Sequence, residues 1–370
     1  MISMIAGLAI FTACNKDESF DAPTVSAPAA TSAEIASDLE LTFNYTTDGG
    51  FKSSSVTATN GTAVVKTDGA SGSKSGTVVV TYTAGSVVGA GAVILTITDN
   101  ENKTSTATGV ISVLEEQIVF TVSGNITQNT IWETGKVYVL TGRIAVVSGV
   151  TLTIQEGVVV KGEAGTGANA TALLIARGGK LMAEGTADSP IIFTSVADEI
   201  MPGEIASPNL EPTLNGLWGG LLVLGNAPIS ADAASVQIEG IPPSDQNGLY
   251  GGTDAADNSG IIRFISIRHG GANIGEGNEI NGLTLGGVGS GTIIENVEVI
   301  ANQDDGIEWF GGTVSVKNAV LWNVGDDAVD TDQSWAGTLD NFIVVNPGDE
   351  CFELDGPEGC LLYTSPSPRD

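Results

Sequence analysis

Short runs of alternating apolar and polar residues dominate the chain, and no stretch sustains a helical period. Between Thr31 and Glu116 the runs LELTFNY (39–45), TVVVTY (77–82) and AVILTIT (92–98) are separated by Asp-Gly-Gly and Asp-Asn-Glu-Asn turns. Alternation broken by turns of this kind predicts several antiparallel strands packed as a β-sandwich over 31–116. From Phe120 the texture changes. Strand-length runs such as VYVL (137–140), TLTI (151–154), ALLIA (172–176), IIFT (191–194) and LLVL (221–224) follow one another with Gly, Asn and Asp between them. Strands without intervening helices point to a solenoid or a second sandwich.

The last hundred residues choose between these. NVEVIANQDDGIE (296–308), NAVLWNVGDDAVD (318–330) and NFIVVNPGDECFE (341–353) are one pattern written three times, at offsets of 22 and 23 residues. That period fits one coil of a parallel β-helix, here expected over 120–359 and right-handed. Equivalent residues of adjacent coils then lie about 4.8 Å apart. Asn296, Asn318 and Asn341 are expected to form an amide ladder at a turn, and Ile307, Val329 and Phe352 an apolar column facing inward.

The segments ALLIARGGKLMAEGTADSPIIFT (172–194), LWGGLLVLGNAPI (217–229), IEGIPPSDQNGLYGGTDAADNSGIIRFISIRHGG (238–271), NEINGLTLGGVGSGTIIENVEVIANQDDGIEWFGGTV (278–314) and GDDAVDTDQSWAG (325–337) resemble a widespread family of bacterial secreted or surface-lipoprotein β-helices. The resemblance covers most of 125–359 and implies the fold, with no activity attached to it. The hairpin ILTITDNENKTSTATGVISV (94–113) is similar to the last two strands of bacterial Ig-like surface domains, which implies an Ig-like spacer. At the N-terminus, FTAC (11–14) resembles a lipobox. The implication is a signal peptide over 1–14, acylation of Cys14, a tether over 15–30 and anchorage in an outer membrane. Asn15–Glu18 resembles the acidic export signal of Bacteroidota-type surface lipoproteins. Residues 360–370 look like a translated sequencing adapter, which implies that the natural chain continues differently beyond Gly359.

Composition sharpens this. With 14 Lys and Arg against 44 Asp and Glu the formal charge is −30, which argues against nucleic acid as a partner and favours cations. A single histidine, His269, excludes His-based metal cages and reads as a turn or core residue. The cysteines Cys14, Cys351 and Cys360 form no even disulfide framework, and Cys351 is expected to be a small buried hydrophobe. The repeat stacks acid upon acid: Asp304-Asp305 on Asp326-Asp327 on Asp349-Glu350, and Glu308 on Asp330 on Glu353. Two carboxylates about 4.8 Å apart repel by roughly 0.9 kcal/mol in water and about 3.5 kcal/mol at an effective dielectric near 20. Full solvation, raised pKa values or a bound Ca²⁺ would offset this, with Asp332 and Asp355 near enough to join. Trp309, Trp322 and Trp335 lie in the same region. Trp309 and Trp335 are candidates for stacking on sugar rings, and packing against the core is the competing role.

Three functions remain open. The first is display of the β-helix for binding or adhesion to extracellular polysaccharide or matrix, stabilised by Ca²⁺. The second is a polysaccharide lyase or glycoside hydrolase working through the acidic pairs. The third is a purely structural surface component. Against catalysis, His269 precedes the Asp pair rather than following it, and Lys317 is the nearest cation to the stack.

Overall fold

The computed structural model describes residues 20–273 and 280–357. The lipobox and signal peptide expected at 1–14, and the adapter-like stretch 360–370, lie outside them. The chain divides into two compact units, Met1–Gln117 and Ile118–Asp370.

The first unit is a sandwich of two four-stranded sheets. Asp38–Thr46 shows the cause: Leu41, Phe43 and Tyr45 are buried while their neighbours face solvent. They meet Val78, Val80 and Tyr82 of the same sheet and Val93, Leu95, Ile97, Ile111 and Val113 of the other. The hairpin expected in 94–113 is present as Gly89–Asp99 paired antiparallel with Thr104–Leu114. The tether expected over 15–30 is shorter than that, because Thr24–Ser26 already pairs with Asn44–Thr46.

The second unit is a parallel β-helix. Its clearest face is a seven-stranded parallel sheet with one strand per coil: Arg143–Val146, Ala172–Ile175, Leu221–Leu224, Leu283–Gly286, Ile307–Phe310, Val329–Asp332 and Glu353–Leu354. The other two faces begin as separate strands, such as Thr151–Ile154 and Val159–Gly162. From Gly260–Arg268 onward they fuse into one bent strand per coil, followed by Ile293–Ile300, Val316–Trp322 and Leu339–Val345. The third coil carries two insertions, 196–220 and 225–259, on either side of Leu221–Leu224.

The bend has a simple origin. Phe264, Asn296, Asn318 and Asn341 occupy one column and all adopt left-handed backbone, with φ of 49°, 55°, 58° and 58°. Asn tolerates this region better than other side-chain-bearing residues. Its amide also closes the expected ladder: Asn318 Nδ2 donates to Asn296 Oδ1 at 2.9 Å, and Asn341 Nδ2 to Asn318 Oδ1 at 2.7 Å. A second left-handed column follows the bent strands at His269, Ala301, Asn323 and Asn346, where Asn346 Nδ2 donates to Asn323 Oδ1 at 2.8 Å. Inside, Ile265, Val297 and Ala319 stack from one face and Leu283, Ile307 and Val329 from another. The inward column expected to include Phe352 ends earlier. Phe352 is 38% exposed and packs edge-on against Phe342, with ring centroids 5.4 Å apart.

Replacing Asn318 by Ala removes two ladder bonds and forces a Cβ without a polar tip into left-handed backbone. The expected cost is about 2–4 kcal/mol. Asn318→Gly loses the bonds but not the backbone fit, and should cost about 1 kcal/mol less. Denaturant unfolding of the β-helix transition checks the order; equal costs would mean the turn, not the ladder, is misread.

Candidate functional site

The acidic repeat occupies the turn between each bent strand and the following strand of the seven-stranded sheet. Asp305 and Asp327 are buried there, and each has a definite task. Asp305 Oδ1 accepts the backbone N–H of Asp327 at 3.1 Å, and Asp327 Oδ1 accepts that of Glu350 at 2.6 Å. Each carboxylate therefore caps the amide of its own counterpart one coil on, a charge-assisted bond that partly offsets the stacking of like charges. Asn302 fixes the turn from the side, donating to Asp305 O at 2.8 Å and Ile280 O at 3.2 Å. The column starts with a neutral residue. Asn281 stands in the position of Asp305 in the preceding coil, and its amide donates to Glu308 Oε2.

Glu308, Asp330 and Glu353 form the expected second column, on the outward side of the seven-stranded sheet. Glu308 is only 6% exposed and Asp330 8%. The reason is the cover over this face: Ile238, Ile241 and Tyr250 of the second insertion pack with Leu222, Leu224, Ile280 and Phe310. Asp305, Glu308 and Asp330 bring one carboxylate oxygen each to within 4.8 Å of the others, and all three are buried. Asp304 and Asp326 approach Asp305 from the more exposed side.

Electrostatics follow from this crowding. Burial, reinforced by the charges of Asp304 and Asp330, pushes the Asp305 carboxyl up to about 8. Burial and the charge of Glu239 hold Glu308 well above the usual carboxylate range. Burial raises Asp330 to about 6, against the opposing effect of its hydrogen bond with Glu308. That bond requires a proton on one of the two. Glu353 rises to about 7, chiefly through a hydrogen bond with Asp327. Asp330 Oδ1 and Asn281 Oδ1 are buried with no hydrogen-bond partner, which leaves lone pairs facing neither protein donors nor bulk water.

Other expected site residues fall elsewhere. Asp349, Glu350 and Glu353 are exposed on the last described coil. Asp332 is half-buried, one column over from Asp330 and beside Phe310 in the register. Trp309 is no sugar platform: it faces the interior and is fully buried, because the strand alternation that turns Glu308 outward turns Trp309 inward. Trp335 lies against it, ring centroids 4.7 Å apart, with Nε1 donating to Val314 O at 2.9 Å. It is half-buried rather than presented to solvent. Trp322, on the bent strand, points outward instead. Cys351 is exposed, contrary to its expected burial, because the turn it occupies in the last described coil is exposed throughout. His269 is a turn histidine. Burial lowers its pKa, and Nδ1 meets Leu214 O at 2.5 Å. Asn281 and the insertions that cover Glu308 were missed in the sequence. Asn281 had a signal, since NGLTL (281–285) aligns with DGIEW (305–309); the insertions had none beyond the lengthened spacing.

With the geometry set, comparison with known proteins places the second unit. Residues 124–360 match the family model described as a pectate-lyase-like beta helix domain. A solved structure, that of the Yersinia enterocolitica family 28 exopolygalacturonase, matches at 11% identity over 89% of this chain and 76% of that chain, with a TM-score of 0.20. That likeness is too weak for any residue role to be carried across. No curated protein matches the chain. The parallel coils and the span of the family match agree, and the chain belongs to the pectate-lyase-like β-helix family.

Proposed function

We propose that this protein is a non-catalytic, cell-surface β-helix that contacts extracellular polysaccharide or matrix, and that Ca²⁺ bound by Asp305, Glu308 and Asp330 stabilises it. The observation that carries the cation site is the convergence of three buried carboxylates beside buried oxygens without donors. An ion 2.3–2.6 Å from each ligand bridges oxygens up to about 5.2 Å apart, so three oxygens within 4.8 Å of one another can close on Ca²⁺ with small side-chain shifts, once the proton shared by Glu308 and Asp330 leaves. Asn281 Oδ1 would be the neutral fourth ligand after an amide flip.

Binding rather than turnover is supported by access. A polysaccharide ring has no route to groups as buried as Glu308 and Asp330, whereas an ion needs little room. Lys317, the cation expected nearest the stack, lies 3.8 Å from Asp340 on another face of the helix. In the same reading, Cys14 is acylated and holds the protein to an outer membrane facing outward. The first unit serves as an Ig-like spacer. Its sheets run, in order of first residue, 24-38-75-61 and 31-104-89-51. This is the ABED and GFC arrangement of immunoglobulin sandwiches with one added edge strand.

The raised carboxyl pKa values give a signed test. A carboxyl that binds its proton more tightly folded than unfolded contributes stability at low pH that is lost as pH rises through the folded value. In chelator, the β-helix transition should therefore fall between about pH 4 and pH 8 as Asp330 and then Asp305 ionise. Millimolar Ca²⁺ should restore it at pH 8, by ~3 °C or more. A melting curve indifferent to Ca²⁺ at pH 8 removes the metal site. Asp305→Asn keeps an acceptor for the Asp327 amide while removing a charge. It should melt higher than the wild type in chelator at pH 8 and show a much smaller Ca²⁺ shift. Incubation with polysaccharides should show retention without new reducing or unsaturated ends; their release would favour the enzyme reading.

A further inference from the structure

The outward side of the bent strands carries two columns that neither the acidic cluster nor the core uses. They are Ser266–Glu298–Val320–Ile343 and Arg268–Ile300–Trp322–Val345. The first insertion lies over the upper part of this face and reaches the coil of Trp322, where Asn323 Nδ2 donates to Pro212 O. Between its edge and the indole is a cavity of about 320 Å³, whose lining includes Leu210, Pro212, Glu298, Ile300 and Trp322. A second hollow of about 290 Å³, lined by Glu298, Val320, Ile343 and the ladder asparagines, adjoins it through Glu298. Ile343 and Val345 are exposed beyond.

The wall is built to hold its shape. Asp198 is fully buried and organises the insertion: Oδ1 accepts from Ser207 Oγ at 2.7 Å and Ile200 N at 3.0 Å, and Oδ2 from Thr194 Oγ1 at 2.9 Å. Lys161 Nζ donates to Asp198 O at 2.6 Å. The coils hold the same loop by three further bonds. Arg268 Nη1 donates to Ile205 O at 2.7 Å, Asn323 Nδ2 donates to Pro212 O at 2.7 Å, and His269 meets Leu214 O. A preformed wall binds without a large ordering cost.

We infer that this groove, with Trp322 as its platform and Glu298 as its hydrogen-bonding group, binds uncharged sugar rings of an extended oligosaccharide. The inference rests on the glycan-contacting reading above and gives it a place. Trp322 is half-buried but faces outward and lines the cavity, whereas Trp335 packs on Trp309, so the apolar face of a pyranose can lie on the part of the indole that borders the cavity. Glu298 is 36% exposed; its Oε2 accepts from Ser266 Oγ at 2.6 Å and pairs with Arg268, and its other oxygen is the acceptor for hydroxyls at the ring edge. The charge of the ligand follows from Arg268. Its Nε donates to Ser266 Oγ at 2.7 Å, Nη1 is held by Ile205 O, and Nη2 stands 3.5 Å from Glu298. The guanidinium is committed to the protein and offers no fork to a uronate, and with its charge paired to Glu298 the groove carries no net positive charge to hold one. Acidic pectin-like chains are therefore disfavoured, and neutral hexose or pentose polymers fit.

Titration of the full chain with neutral tetrasaccharides of glucose, mannose and xylose, and with tetragalacturonate as the charged comparison, tests this. A neutral tetrasaccharide should bind with a change in tryptophan emission. Trp322→Ala should weaken it at least tenfold, with a lower melting temperature but a cooperative unfolding transition retained. Val320→Arg, which keeps the indole but fills the groove, should weaken it similarly. Neutral binding untouched by both variants overturns the site and leaves the glycan reading standing. Trp322-dependent preference for tetragalacturonate overturns the ligand class. No binding of any oligosaccharide by the wild type overturns both the site and the glycan reading.

Discussion

Side chains on the stacked strands of the β-helix have counterparts about 4.8 Å away on the next coil, fixed there by backbone hydrogen bonds along parallel strands. Whatever one coil carries, the stack multiplies. Apolar residues become the continuous interior column of Leu283, Ile307 and Val329. Asparagines become a chain of amides, in which Asn318 donates to Asn296 and accepts from Asn341, that also accommodates the left-handed bend. Acids become a line of like charges, and there the same constraint works against stability.

The acidic columns meet that problem in two ways. At the turn, Asp305 and Asp327 each spend one oxygen on an amide of the next coil, which ties coil to coil and, at Asp305, opposes the upward pull of burial on the carboxyl. In the neighbouring column Glu308 and Asp330 have no such amide ladder, and the second insertion shuts them from water. Shared protons or a cation are the remaining means of neutralisation. In the proposed site the two would compete for the same oxygens, which would couple Ca²⁺ binding to pH. The wall over the bent strands uses opposite chemistry. Arg268 and Glu298 neutralise one another and leave an indole and aliphatic surface facing outward.

Much of this was legible in the sequence, and the reason is the repeat. Offsets of 22 and 23 residues placed Asn296, Asn318 and Asn341, and likewise Glu308, Asp330 and Glu353, in correct columns before any coordinates. Periodicity says which residues align but not which way each faces. Trp309 alternates with Glu308, so once the acid turned outward the indole had to turn in. Trp322 sits on a strand whose phase is set by Val299 and Leu321, and it was the outward one. Nor does a repeat disclose what lies over it. The burial of Glu308 depends on Ile238, Ile241 and Tyr250 in an aperiodic insertion, and the groove wall on Asp198 in another. The exposure of Cys351 and Phe352 reflects the last described coil, where no further described strand pairs beyond Glu353–Leu354.

We propose that stacked, covered carboxylates in this fold form a site for a hard cation. Crystallographic anomalous difference density from crystals grown with Ca²⁺ addresses it directly. The account predicts a peak about 2.3–2.6 Å from oxygens of Asp305, Glu308 and Asp330, with the Asn281 amide oxygen turned toward it. A well-ordered cluster at saturating Ca²⁺ with no peak, its carboxyls within hydrogen-bonding distance of one another, would contradict it and leave protons as the neutralising species.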